Sequence, residues 1–232
     1  MNYSYIDKNY NRICGGIAEA VKDSNREEPP VFVAAIKSAE MDEISYLCRT
    51  CGIKDVGENR VQQLLSRYEA LSGENVNIHF IGSLQTNKVK YIIDKVCMIH
   101  SLDRIELARE IDKQARKIGK TMDVLVEINI GREENKGGVY PEQLEAFCNE
   151  LCAFSGIRLC GFMTMAPKCE EKSDYLKYFS ETYELVLDIW QKKLHNISRP
   201  IISMGMSESF EEAIKCGSTM IRIGRSLFNK QI

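Results

Sequence analysis

The sequence lacks any run that could cross a membrane: no segment approaches the roughly 18 consecutive apolar residues a spanning helix needs. It lacks an excess of either charge. Lys plus Arg number 31 and Asp plus Glu 33, a net charge of −2. That balance gives no long-range attraction to nucleic acid or to an anionic membrane, and neither is expected as a partner. Residues Met1–Lys8 are polar and aromatic, with no basic segment leading into an apolar run, so no secretory signal is expected. There is no low-complexity stretch or linker to divide the chain; Asp23–Pro30 is a polar, Pro-ended entry to the first strand-like run. The nine cysteines are an odd number, scattered. They argue against a disulfide framework and for a reducing compartment, so a soluble, cytoplasmic protein is expected.

What is present is an alternation of two periods. Short apolar, β-branched runs fall at Val31–Ile36, Lys54–Gly57, Asn77–Ile81, Cys97–Ser101, Val124–Ile130, Leu159–Met163, Ile201–Met204 and Met220–Ile223. Amphipathic, helix-like runs lie between them at Met41–Cys51, Arg60–Leu71, Asn87–Ile93, Arg104–Ile118, Pro141–Phe154, Asp174–Leu194 and Glu208–Cys216. A further helix, about Ile6–Lys22, precedes them all. Gly52, Gly119 and Gly217 suit helix C-caps, Pro141 a first helical turn, and Asp103 and Ser207 N-caps. Repeated strand–helix units imply parallel strands with right-handed crossovers. About eight units in 232 residues predict one α/β domain over 1–232, a closed (β/α)8 TIM-type barrel with an extra N-terminal helix. An open doubly wound sheet is the alternative.

In a barrel, function sits at the C-terminal strand ends. Lys37 directly follows the apolar run Val31–Ile36 and could point its amine into the barrel mouth, where desolvation favours the neutral, nucleophilic form. By position alone, a lysine reaching out to solvent is the commoner reading. Glu58 and Asn59 could bind a ligand or cap the next helix. Ser203, Met204, Gly205 and Ser207 end the seventh run, and Arg222 and Gly224 end the eighth. These ends become neighbours when a barrel closes, and together form a phosphate cradle. The bland reading is a Ser N-cap beside a Gly turn. His79 and His100 read as core histidines with satisfied hydrogen bonds, and His195 as a surface residue. Cys48-x-x-Cys51 lies on a helix-like run with no zinc partner at ordinary spacing and reads as packing; so do Cys148 and Cys152.

Taken in order, several stretches resemble the pyridoxal phosphate homeostasis protein family, barrels similar to the N-terminal domain of alanine racemase. They are Ala34–Ser38, Gly57–Gln62, His79–Lys88, Ile99–Asp103, Glu127–Ile130 with Lys136-Gly137, Gly161–Ala166, Ser203–Ser207 and Gly217–Gly224. The resemblance spans roughly Val31 to Phe228. Ala35-Ile-Lys-Ser38 departs from the family's usual Val-Ser-Lys-Thr, Arg225 stands where Thr is usual and Asn229 where Gly is, and the first thirty residues match poorly.

The resemblance implies pyridoxal 5′-phosphate (PLP) as cofactor, held as a Schiff base on Lys37. Ser207, Gly224 and the backbone at Arg225 would hold the phosphate, Arg222 would face the pyridine nitrogen, and Ser203, Asn59 and Met204 would complete the site. Lys88 and Lys136 would stand near the mouth. It implies vitamin B6 homeostasis rather than turnover, with apo forms of PLP-dependent enzymes as recipients and a monomer or weak dimer. The alternatives are a weak PLP enzyme such as an amino-acid racemase, or a sugar-phosphate barrel without PLP. The sequence ends at Ile232, just past the last strand-like run, so no second domain is expected to supply the opposite-face base that racemisation needs.

Overall fold

Eight short parallel strands close on themselves, β8 pairing with β1. They are β1 Val31–Ala35, β2 Asp55–Glu58, β3 Asn77–Phe80, β4 Met98–Leu102, β5 Met122–Ile128, β6 Ile157–Thr164, β7 Ile201–Ser203 and β8 Met220–Ile223. The structure, a computed structural model, describes residues 3–192 and 199–230. The expected (β/α)8 barrel is therefore the fold, and the open-sheet alternative falls. His195, read as a surface residue, and the end of the helix-like run to Leu194 lie outside the described residues.

The helices form an outer layer: α1 Ser4–Asp23, α2 Met41–Thr50, α3 Val61–Gly73, α4 Ile105–Lys117, α5 Leu144–Leu151, α6 Lys172–Gln191 and α7 Phe210–Lys215. α4 shows why they lie flat on the barrel: Leu107, Ala108, Ile111 and Ala115 recur on one stripe and are buried. Gly52, Gly119 and Gly217 follow helices with positive φ, the left-handed stop expected of them. The expected helix Asn87–Ile93 is instead a 3-10 turn over Thr86–Tyr91, and Pro141 opens a single 3-10 turn before α5. Two expected N-caps fail. Asp103 pairs with Arg104 at 2.6 Å, and α4 begins after Arg104. α7 begins at Phe210, three residues past Ser207, which is thereby freed for another partner.

The helical ring has a gap after β8, and α1 fills it. Ile6, Asn9, Ile13, Ile17 and Ala20, spaced three and four apart, are its buried face. It packs against α7 on one side and reaches α2 on the other, where Tyr46 Oη donates to Asp7 Oδ2 at 2.8 Å. Asn9, 1% exposed, donates its amide to the carbonyls of Leu227 at 3.1 Å and Asn229 at 2.9 Å, tying the first helix to the last turn. Asn9→Ala strands both carbonyls and should cost about 1–3 kcal/mol, read as a lower urea midpoint with an unchanged far-ultraviolet spectrum. An unmoved midpoint would show that α1 is not fixed to the barrel through this residue.

Candidate functional site

At the C-terminal end of β1 the chain turns sharply, and this turn carries Lys37. Its backbone is held at several points. Ile36 N–H donates to Gly57 O at 3.0 Å, extending the β1–β2 ladder by one bond. Arg67, from α3, donates to Ile36 O at 3.0 Å and Ala39 O at 2.7 Å, and Gln63 donates to Lys37 O at 2.8 Å. Arg67 is itself fixed by Glu58 at 2.9 Å, a carboxylate with no exposed surface. Burial pushes the Glu58 carboxyl up, and the arginine offsets this. The Lys37 main chain is thus anchored while its side chain is exposed. The amine is thus not buried by the strand end, and the lysine reaching out to solvent is the arrangement seen.

Across the mouth, the ends of β7 and β8 meet as expected. Ser207 Oγ accepts the N–H of Ser226 at 3.2 Å, and Arg222 N–H donates to Gly205 O at 3.1 Å, so the two loops are one unit. After β8 the chain makes a helical turn, with Leu227 and Phe228 N–H both donating to Gly224 O. Gly224 sits against β1: a Cβ there would stand 2.5 Å from Ala35 O. The side chain of Arg225 leaves the turn to pair with Glu208.

A pocket of about 300 Å³ opens between these ends. Lys37, Ser207, Arg222, Gly224 and Arg225 line it, together with Lys168, Tyr175 and Met206. An adjoining cavity of about 350 Å³ shares Ser207 and Arg225 and adds Ser226. Among the described residues, two buried side-chain polar atoms lack a hydrogen-bond partner, Asn59 Oδ1 and Ser226 Oγ. Buried orphans of this kind mark places where a ligand's polar groups fit.

Arg222 is 4% exposed and lies at the pocket floor. Its guanidinium donates to Ser203 O at 2.8 Å, Ser203 Oγ at 2.7 Å and Thr164 O at 3.0 Å. Burial lowers its pKa to about 10, with Glu127 opposing, so it remains charged at neutral pH. Glu127, near the end of β5, is 6% exposed, and burial together with Asp103 pushes its carboxyl up to about 7 against the pull of Arg222.

Five of the eight residues singled out from sequence, Lys37, Ser207, Arg222, Gly224 and Arg225, therefore gather on one pocket. Ser203 lies beneath it, bonded to Arg222. Asn59 lies outside its lining but carries the orphan oxygen, and Met204 is packed with no exposure in the apolar core. Lys88 and Lys136 do not line the pocket; Lys88 lies over the Tyr91 ring instead. Sequence reasoning missed Lys168 and Tyr175, which sit on the long segment after β6 and in α6. The one signal was the polar run Lys168–Lys172 that follows the Gly161–Ala166 motif. Cys48 is buried on α2, Cys51 caps it, and burial raises both thiols to about 11, which makes them poor thiolates.

A profile described as "Alanine racemase, N-terminal domain" matches residues 19–231. A "Pyridoxal phosphate homeostasis protein" of Aquifex aeolicus is 41% identical over 220 residues, covering 95% of this chain and 96% of its own. Among solved structures, a protein from Bifidobacterium adolescentis superposes with a TM-score of 0.90 at 28% identity, covering 98% of this chain and 97% of that one. PipY of Synechococcus elongatus, solved with PLP bound, superposes with a TM-score of 0.78 at 25% identity, covering 92% of this chain and all of that one.

A carboxyl held up in the folded state, as Glu127 is, favours folding at low pH. It costs stability as pH rises from the ordinary carboxyl range through about 7. Glu127→Gln removes that ionisation. The stability lost between about pH 5 and pH 8 should then shrink by about 2 kcal/mol, read from urea midpoints at the two pH values. An undiminished loss would place the ionisation on another group.

Proposed function

The chain belongs to the family of the alanine racemase N-terminal domain, among the pyridoxal phosphate homeostasis proteins, and from that premise we propose that it holds pyridoxal 5′-phosphate as a Schiff base on Lys37 and serves intracellular vitamin B6 homeostasis and supply. The observation that carries the reading is the convergence of a backbone-anchored lysine, a paired Ser–Gly turn and a buried arginine on one pocket of about 300 Å³. The orphan oxygens of Asn59 and Ser226 suit a small polar ligand with a phosphate, and Gly224 lets the β8 turn pack directly against Ala35 of β1 at the pocket edge.

The cofactor supplies an aldehyde that condenses with amines and a ring that withdraws electrons. The residues do the rest. Lys37 offers the amine from a fixed main chain. Ser207 Oγ, with the backbone at Gly224 and Arg225, holds the phosphate, and Ser226 Oγ adds a donor from the adjoining cavity. Arg222, charged at neutral pH, would disfavour protonation of a ring nitrogen placed beside it and so keep electron withdrawal weak. Asn59 Oδ1, buried beside the lining rather than in it, would be an acceptor for a hydroxyl of the cofactor. A site of this kind exchanges amines readily, which suits delivery to apo-enzymes. A second reading, a weak PLP enzyme such as a racemase, draws on Tyr175 and Lys168, which bring a hydroxyl and a second amine to the same pocket.

Borohydride reduction of the PLP-loaded protein should fix the cofactor on Lys37, and Lys37→Ala should lose the adduct while melting at an unchanged temperature. Peptide mapping decides the point, and an adduct on Lys168 in the unaltered protein would overturn the assignment. Delivery against turnover is decided by solvent-deuterium exchange at Cα of free amino acids. Little exchange, with PLP passed on to an apo-enzyme, supports the carrier. Fast, stereoselective exchange abolished by Lys37→Ala would establish an enzyme.

A further inference from the structure

The barrel interior holds a line of polar side chains that the proposed site does not use. Asp55 Oδ1, at the start of β2, lies 3.0 Å from His79 Nε2. His79 Nδ1 lies 2.9 Å from His100 Nε2, and His100 Nδ1 lies 3.4 Å from Ser203 Oγ. Ser203 Oγ accepts from Arg222 at 2.7 Å. The line thus runs from the opposite end of the strands to the pocket floor through β2, β3, β4, β7 and β8.

Its two ends fix its direction. An arginine can only donate and an ionised carboxylate can only accept. Asp55 is such a carboxylate: burial would raise it, but hydrogen bonds from His79 and Asn77 outweigh that and hold it below the usual range. It therefore takes its proton from His79 Nε2. His100 is fully buried, and burial, His79 and Arg222 keep it neutral, so it has one donor and one acceptor. Ser203 also has no exposed surface, and its hydroxyl hydrogen needs an acceptor. Among the described residues its hydrogen-bond partners are His100 and Arg222, and of these two only His100 accepts. His100 Nδ1 is then bare, its proton sits on Nε2, and it donates to a bare His79 Nδ1. A cationic His79 would reverse the middle of the line and leave the buried Ser203 hydroxyl with no acceptor.

We propose that Arg222, Ser203, His100, His79 and Asp55 form a one-way hydrogen-bond chain in which both histidines carry their proton on Nε2. His79 and His100 are then positioning residues: they orient the Ser203 hydroxyl, and through it the Arg222 guanidinium. The groups facing the chain from neighbouring elements include Asn77, Thr164, Glu127 and Cys97, and of these Glu127 and Cys97 titrate. The tautomers follow from the geometry together with an ionised Asp55 and a neutral His100, and do not depend on the reading of the pocket. The part played at the pocket rests on the reading of Arg222 proposed above.

The test is long-range proton–nitrogen spectroscopy on the full chain labelled at its histidine rings, with His79→Gln and His100→Gln to assign signals. Each of the two residues should show a protonated Nε2 and a bare Nδ1. A protonated Nδ1 on either, or a cationic His79, overturns the chain. Ser203→Ala should shift the His100 Nδ1 signal, and Ser203→Thr should restore it. Asp55→Asn, whose carbonyl still accepts, should keep both tautomers, whereas Asp55→Ala should not keep them fixed. A His100 signal indifferent to Ser203→Ala overturns the link. With PLP loaded, His100→Gln should shift the absorption band of the lysine-bound cofactor. An unmoved band, with the tautomers as stated, overturns the positioning role and leaves the proposed function standing. Absence of any lysine adduct on reduction removes the proposed function and leaves the tautomer assignments standing.

Discussion

A cation buried at the end of β8 is the constraint around which the pocket is organised. Among the described residues, the guanidinium hydrogen bonds of Arg222 go to one hydroxyl and two carbonyls and to no carboxylate. Taking a guanidinium out of water costs several kcal/mol unless its donors are met and its charge is opposed. Here the donors are met by β6 and β7, and the charge is opposed at a distance by Glu127, whose own burial pushes it toward neutrality. Each group makes the other less costly without forming a closed ion pair. A fold keeps such an arrangement when the charge must face something else, and the something else here is the pocket.

The opposite wall of the pocket is built on the reverse principle. Arg222 is immobilised by three bonds, whereas Lys37 is anchored only through its main chain, by Arg67, Gln63 and the last bond of the β1–β2 ladder. Its four-carbon stem keeps its rotamers. One side of the site thus offers a fixed field and the other a searching amine. A group that must form and release a covalent bond gains from the second, and a group that must tune a ring gains from the first.

What the sequence disclosed follows from how far each interaction reaches along the chain. Strand runs and the alternation of periods are local, and they placed all eight strands. The pairing of Ser207 with the turn after Gly224 was foreseeable because β7 and β8 are consecutive and must lie side by side. Ser207 as a helix cap was wrong for the same kind of reason: α7 starts three residues later, and the hydroxyl accepts from Ser226, a partner only the closed barrel supplies. His79 and His100 each read as satisfied core histidines, but that they satisfy one another depends on β3 and β4 lying side by side in register. The clamp of Glu58 on Arg67 was hidden because it runs from a strand end to the middle of a helix, where an arginine reads as surface. Tyr175 was hidden because it stands in a helix, where the strand-end rule does not look.

The tie between Asn9 and the turn at Leu227 and Asn229 joins residues some 218 to 220 positions apart. On the ribosome, α1 can meet α2 early, through Tyr46 and Asp7, but the carbonyls that Asn9 holds are made some 218 to 220 residues after it. The turn that bears them is the one that follows Gly224. The turn that carries Lys37 is thus made long before the Ser207 and Gly224 turns that face it across the pocket.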